Sequence, residues 1–109
     1  MFDSNKTNTA DGGAIYNKTA TDITSTIANS VFNKNQAYNN GGAIINSTGI
    51  LQIKSSDFTR NYTNNINSWG QGGAIYVSGG TLNLENSSFS LNGINYTTSE
   101  TPQHPLHPL

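Results

Sequence analysis

Large apolar residues alternate with polar ones in three short stretches of the chain. In "ILQIKSSDF" (50–58) they fall on Leu51 and Ile53, and in "LNLENSSF" (82–89) on Leu82 and Leu84; a phenylalanine follows five residues after the second aliphatic in each. The stretch "ITSTIANSVF" (23–32) keeps the frame, with Ser25 in the first position, then Ile27 and Phe32. A period of two is that of a strand with one face turned inward, not of a helix. Each copy therefore predicts a strand at an upstream Ala-Ile, a turn rich in Ser, Thr or Gly, a short strand over the alternating residues, and then a bend that begins at the phenylalanine.

These strands belong to a longer period. "GGAIYN" (12–17), "GGAIIN" (41–46) and "GGAIYV" (72–77) are near-copies of one hexapeptide, and "FDSN" (2–5), "FNKN" (32–35), "FTRN" (58–61) and "FSLN" (89–92) all read Phe-x-x-Asn. Successive phenylalanines are 30, 26 and 31 residues apart. A recurrence of that length marks a solenoid, in which each repeat buries its apolar face against the next. Strands this short, repeated in register, predict an all-β, parallel β-helix of about three coils, each strand pairing about 4.8 Å from its counterpart in the next coil. Equivalent residues then stack: Phe2, Phe32, Phe58 and Phe89 in one interior column, Ile15, Ile44 and Ile75 in another, with Ile27, Ile53 and Leu84 also inward. Asn5, Asn35, Asn61 and Asn92 form an amide ladder at a corner. The pairs Gly12-Gly13, Gly41-Gly42 and Gly72-Gly73 suit a corner of unusual φ, and Ala14, Ala43 and Ala74 a site with room for a methyl only. The rival is a meander of hairpins, suggested by "SGG" at 78–80, but hairpins need no identical residues at a 30-residue period.

Gly-Gly-Ala-Ile alternating with Phe-x-x-Asn resembles the repeat of chlamydial polymorphic outer-membrane proteins, and of adhesin-like surface proteins of other microbes, over residues 2–92. The resemblance implies a right-handed β-helix, part of an autotransporter-type passenger, displayed at the cell surface or secreted for adhesion, with no catalysis and no cofactor. Its expected partners are a host-cell protein or glycan and further repeats of the same polypeptide; end-to-end self-association through open strand edges is a further expectation. The organisation expected is a β-helical fragment over 1–98, with coils starting near 12, 41 and 72 after a partial coil, and a disordered Pro- and His-containing tail over 99–109. The chain reads as an excerpt, because Phe2–Asn5 has no Gly-Gly-Ala-Ile before it.

Composition narrows the function. With 10% charged residues and a net charge of −1, the chain lacks the basic face that nucleic acid or an anionic membrane would need. No apolar run approaches a membrane span, and "MFDSNKTNTADGG" has no basic segment leading into an apolar one, so no signal peptide is visible in it. Cysteine is absent, which removes disulfides and thiolate metal sites. The competing class is a fragment of a polysaccharide lyase or glycoside hydrolase, since such enzymes also use parallel β-helices. They need paired carboxylates, or an acidic cluster with a basic residue. Asp57 with Arg60 is the nearest candidate, and a solvated turn pair is the simpler reading. His104 and His107 are flanked by Pro102, Pro105 and Pro108, which forbid the helix that would let them share a metal; no metal site is expected. Six Asn-x-Ser/Thr sequons, at Asn5, Asn17, Asn46, Asn61, Asn86 and Asn95, are close to what 17 Asn and 25 Ser plus Thr produce by chance.

Departures from the repeat mark the expected binding surface. From Phe to the next Gly-Gly runs 9 residues after Phe32 but 14 after Phe58. Extra residues in a solenoid bulge from one face, often the functional one. This longer stretch holds the only Arg and the only Trp of the chain, so Arg60, Tyr62 and Trp69 are the candidate partner-binding residues, able to stack on a sugar ring or anchor a protein.

Overall fold

A computed structural model of the chain describes residues 1–7, 10–64 and 72–94. Every regular element among them is a strand, and these strands build four sheets whose members come from successive repeats. One sheet stacks β1 (Phe2–Asp3), β4 (Val31–Asn33), β8 (Asp57–Thr59) and β12 (Ser88–Ser90). A second stacks β2 (Ile15–Lys18), β6 (Ile44–Thr48) and β10 (Ile75–Val77), and a third β3 (Thr24–Ala28), β7 (Ile50–Lys54) and β11 (Thr81–Glu85). The fourth stacks β5 (Gln36–Ala37), β9 (Tyr62–Thr63) and β13 (Gly93–Ile94). All these pairings are parallel, so the chain visits each sheet once per coil, as a parallel β-helix does. The hairpin meander is thereby excluded.

The register follows the repeated residues. Phe2 pairs with Phe32, Phe32 with Phe58 and Phe58 with Phe89, while Ile15 and Ile75 both pair with Ile44. The four phenyl rings lie parallel within 7°, with centroids 4.5, 4.7 and 4.8 Å apart, which is the strand spacing repeated in the side chains. Ile53 pairs with Ile27 and Leu84, and Leu51 with Ser25 and Leu82. Phe32, Phe58, Ile44, Leu51, Ile53 and Ile75 form the buried centre, and Phe2, Ile15, Ile27, Leu82 and Phe89 pack against it from the outer coils. Leu84 departs from expectation: although it holds an interior column position, it remains 38% exposed, since its strand β11 has a neighbour on one side only among the described residues.

The corners explain how so polar a chain closes its coils. Seven residues other than glycine have positive φ, and they fall into two columns: Ser4, Lys34, Arg60 and Leu91 in one, Asn29, Ser55 and Asn86 in the other. Left-handed backbone costs an ordinary residue about 1 kcal/mol or more, so something must hold it there. In each case the next residue turns a hydrogen-bonding side chain into the stack. After the first column come Asn5, Asn35, Asn61 and Asn92. The backbone N–H of Asn5 donates to Asn35 Oδ1 (3.0 Å), that of Asn35 to Asn61 Oδ1 (2.9 Å), and that of Asn61 to Asn92 Oδ1 (2.8 Å). Each amide nitrogen of Asn35, Asn61 and Asn92 reaches back 2.9 Å to the carbonyl of the phenylalanine one coil earlier. After the second column come Ser30, Ser56 and Ser87. The N–H of Ser30 donates to Ser56 Oγ and that of Ser56 to Ser87 Oγ, both at 3.2 Å, while each hydroxyl donates to the carbonyl two residues back.

The two glycines of each pair are not equivalent, for only the first has positive φ and only at the second would a Cβ meet the next coil's backbone. Gly12, Gly41 and Gly72 supply the expected positive φ, near +65°. Their partners are needed for closeness instead. A Cβ on Gly42 would overlap the Gly73 carbonyl and come within 2.5 Å of the Tyr62 nitrogen, and one on Gly73 would come within 2.5 Å of the Gly93 nitrogen. Here the backbone of one coil lies directly on that of β9 or β13 in the next, and no side chain fits between them.

Candidate interaction surface

Arg60 and Tyr62 flank the buried ladder residue Asn61, and both lie on the outside of the same corner. Arg60 is exposed, its φ of 55° set by the bend. Lys34 occupies the equivalent bend one coil earlier, with φ 58°; the registered pair Asn33 and Thr59 immediately before them places the two residues at stacked positions of the backbone. Tyr62 pairs with Gln36 across β9 and β5, and its hydroxyl donates to Gln36 Oε1 at 2.8 Å. That bond lays the phenol along the corner, across two coils. Lys6 forms a parallel bridge with the same Gln36 from the first coil, bringing a third cation to this corner. Trp69, the remaining member of the expected set, lies outside the described residues, as do His104, His107 and the 99–109 segment.

Asp57 does not pair with Arg60. It stands at the start of β8, exposed, opposite Val31 and Ser88, and its Oδ1 accepts the Ser88 hydroxyl at 2.6 Å. Strand alternation puts Asp57 on the outer face, and the left-handed bend then turns Arg60 away. Among the described residues no group of three or more His, Asp or Glu side chains is placed to hold a metal ion. The sequon residues differ in access. Asn46 and Asn61 are fully buried and Asn5 is tied into the ladder, whereas Asn86 is exposed; Asn95 lies outside the described residues.

Two ladders escaped the sequence reading. Ser30, Ser56 and Ser87 stand two residues before each phenylalanine, a recurrence hidden by the abundance of serine around it. Asn17 and Asn46 end the first two hexapeptides: Asn17 Nδ2 donates to Asn46 Oδ1 at 2.6 Å, and Asn46 Nδ2 donates to the carbonyls of Gly49 (3.2 Å) and Gly79 (3.1 Å). Val77 takes that place in the third copy, which broke the pattern by eye.

Stacked strands, interior ladders and an irregular outer corner define a solenoid repeat protein of the parallel β-helix class. Residues 1–18 and 29–47 match the model of the Chlamydia polymorphic membrane protein repeat, and these two stretches are similar to that repeat. Each matched stretch runs from the phenylalanine strand through the ladder asparagine to the glycine pair and the strand after it; residues 19–28, with β3, and 48–109 are unmatched. The family is one of non-enzymatic surface proteins of the outer membrane. No curated protein and no solved structure is significantly similar to the chain. Among the described residues no helix is long and apolar enough to cross a membrane.

Proposed function

We propose that this chain is a non-catalytic display and adhesion module, a stretch of adhesin-like β-helical passenger held at the cell surface or secreted. The observation that carries the reading is the match of both stretches to a repeat of surface proteins. The division of labour within each coil agrees with it. The repeated residues turn the chain or fill its interior, and the connection that is longest in sequence begins beside the exposed Arg60 and half-buried Tyr62. An aromatic and an arginine on a rigid corner are the residue types that most often anchor a protein or glycan partner.

The test is adhesion itself. Beads coated with the protein should bind cultured epithelial cells well above albumin-coated beads. Replacing Arg60 by Asn and Tyr62 by Ala together should reduce binding about tenfold, the loss of roughly 1.4 kcal/mol expected for one anchoring contact, while circular dichroism stays unchanged. Binding no better than albumin sinks the adhesion reading. Undiminished binding by the double variant moves the contact to another face.

A further inference from the structure

From the same corner we infer the chemical class of ligand: an acidic glycan, a sugar chain bearing sulfate or carboxylate groups, laid across Lys34, Arg60 and Tyr62. The inference rests on the adhesion reading and adds to it what the corner recognises. Lys34 and Arg60 are held in left-handed backbone, stacked on consecutive coils about 4.8 Å apart. Both side chains are exposed and leave adjacent positions of the backbone, and among the described residues neither forms an ion pair with a carboxylate. Two long cationic side chains rooted on adjacent bends can close on a single anion between them. Asp3, in the neighbouring outward column, turns its Oδ1 to the Ser4 hydroxyl (3.2 Å) and the Asn33 amide (3.1 Å). Guanidinium and ammonium groups prefer oxyanions, to which they make charge-assisted hydrogen bonds.

The phenol beside them selects among anions. Tyr62 is anchored at its hydroxyl by Gln36, so its ring is fixed along the corner instead of swinging free. A fixed aromatic face suits the C–H face of a pyranose, while an extended acidic peptide has no such face to offer. Asn33 and Thr59, paired just outside the two cations, supply neutral groups for sugar hydroxyls. The cations form a column, not a broad face. That shape fits a linear polyanion running along the stack better than the plane of a membrane.

The test uses the whole 109-residue chain with heparin, dextran as a neutral glycan and polyglutamate as an acidic polymer without sugar. Heparin should bind, weaken as salt rises, and exceed both controls. Lys34→Asn with Arg60→Asn removes both charges and leaves a residue that accepts left-handed backbone, so folding is preserved; heparin affinity should drop about tenfold or more, as one to two charge-assisted bonds at 1.5–3 kcal/mol imply. Lys18→Asn with Lys54→Asn changes the net charge equally on other faces and should alter affinity less than about twofold. Tyr62→Phe, which frees the ring from Gln36, should weaken heparin without affecting the residual interaction with polyglutamate. Absence of heparin binding, an equal loss in the Lys18/Lys54 variant, or polyglutamate binding as tightly as heparin would each overturn the inference. The adhesion reading fails separately. Beads that still adhere to cells stripped of sulfated glycans uphold adhesion and remove the acidic glycan, whereas beads that never adhere while heparin binds do the reverse.

Discussion

The two inner coils and the two outer ones carry the same motifs with different consequences. Phe32 and Phe58 are fully buried, whereas Phe2 and Phe89, identical in motif and register, are only partly so. Asn35 and Asn61 are fully buried, while Asn5 is exposed. Ile53 is sealed and its column partner Leu84 is 38% exposed. In a globular core the side chain and its strand largely decide burial. Here the decision belongs to the coil's place in the stack, because a side chain in a solenoid is covered by the copies above and below it. Motif identity therefore predicts direction, inward or outward, but not depth.

This comparison can be broken by matched pairs of substitutions followed by chemical denaturation. The largest effect is expected at Phe58→Ala, which removes a ring stacked on both faces and should cost about 3–5 kcal/mol. Phe89→Ala removes a ring stacked on one face, so its cost should be roughly half of that. Equal losses would show that position in the stack does not set the energetics. Next comes Asn61→Ala, which strips partners from the Asn35 backbone N–H, the Asn35 amide and the Phe32 carbonyl, all buried. Orphaned groups of that kind cost about 1–3 kcal/mol each before any water enters, so a total near 3 kcal/mol is expected. At the exposed end, Asn5→Ala leaves its backbone N–H bond to Asn35 in place and should cost below about 1 kcal/mol. The smallest effect runs the other way. Thr63 is fully buried and its hydroxyl has no hydrogen-bond partner among the described residues, so Thr63→Val, close in shape, should raise stability by about 1 kcal/mol. A loss of stability there would mean the hydroxyl is satisfied after all.

The sequence reading reached the register because identical residues at a fixed period leave few other ways to stack: the phenylalanine, isoleucine and asparagine columns all stand where spacing put them. It fell short where the signal was spread over types or buried in composition. The serine ladder sits in a serine-rich turn, and the Asn17–Asn46 pair loses its third member to Val77. Glycine doublets look alike in sequence, yet one residue answers to φ and the other to clearance, a distinction that depends on a strand from the next coil. Leu84 was misjudged because alternation reports which way a side chain faces and carries nothing about what lies beyond it. At the candidate surface, Arg60 and Tyr62 were singled out by a change in spacing, while Lys34 and Lys6 joined them only once stacking brought three coils to one corner.

The close contact at the second glycine of each pair has a consequence for how such a chain can diversify. Backbone touches backbone there, at Gly42 against Tyr62 and Gly73 against Gly93, so the cross-section is clasped shut at that point. The strands just after the ladder corner, β5 and β9, still belong to the stack, with Ala37 and Thr63 fully buried, and the connection from them to the next glycine pair is what varies. Its length differs: Phe to Gly-Gly spans 9 residues in one coil and 14 in the next, yet the glycine pair closes on the backbone of the next coil in both. Doubling such a connection costs only about 0.6 kcal/mol in closure entropy, far less than one misplaced phenylalanine. A lineage of these coils can exchange, lengthen and re-letter that one segment generation after generation while the rod beneath it stays the same. The clasp thus acts as a cartridge holder, in which novelty is loaded at one corner and the scaffold is never asked to refold around it.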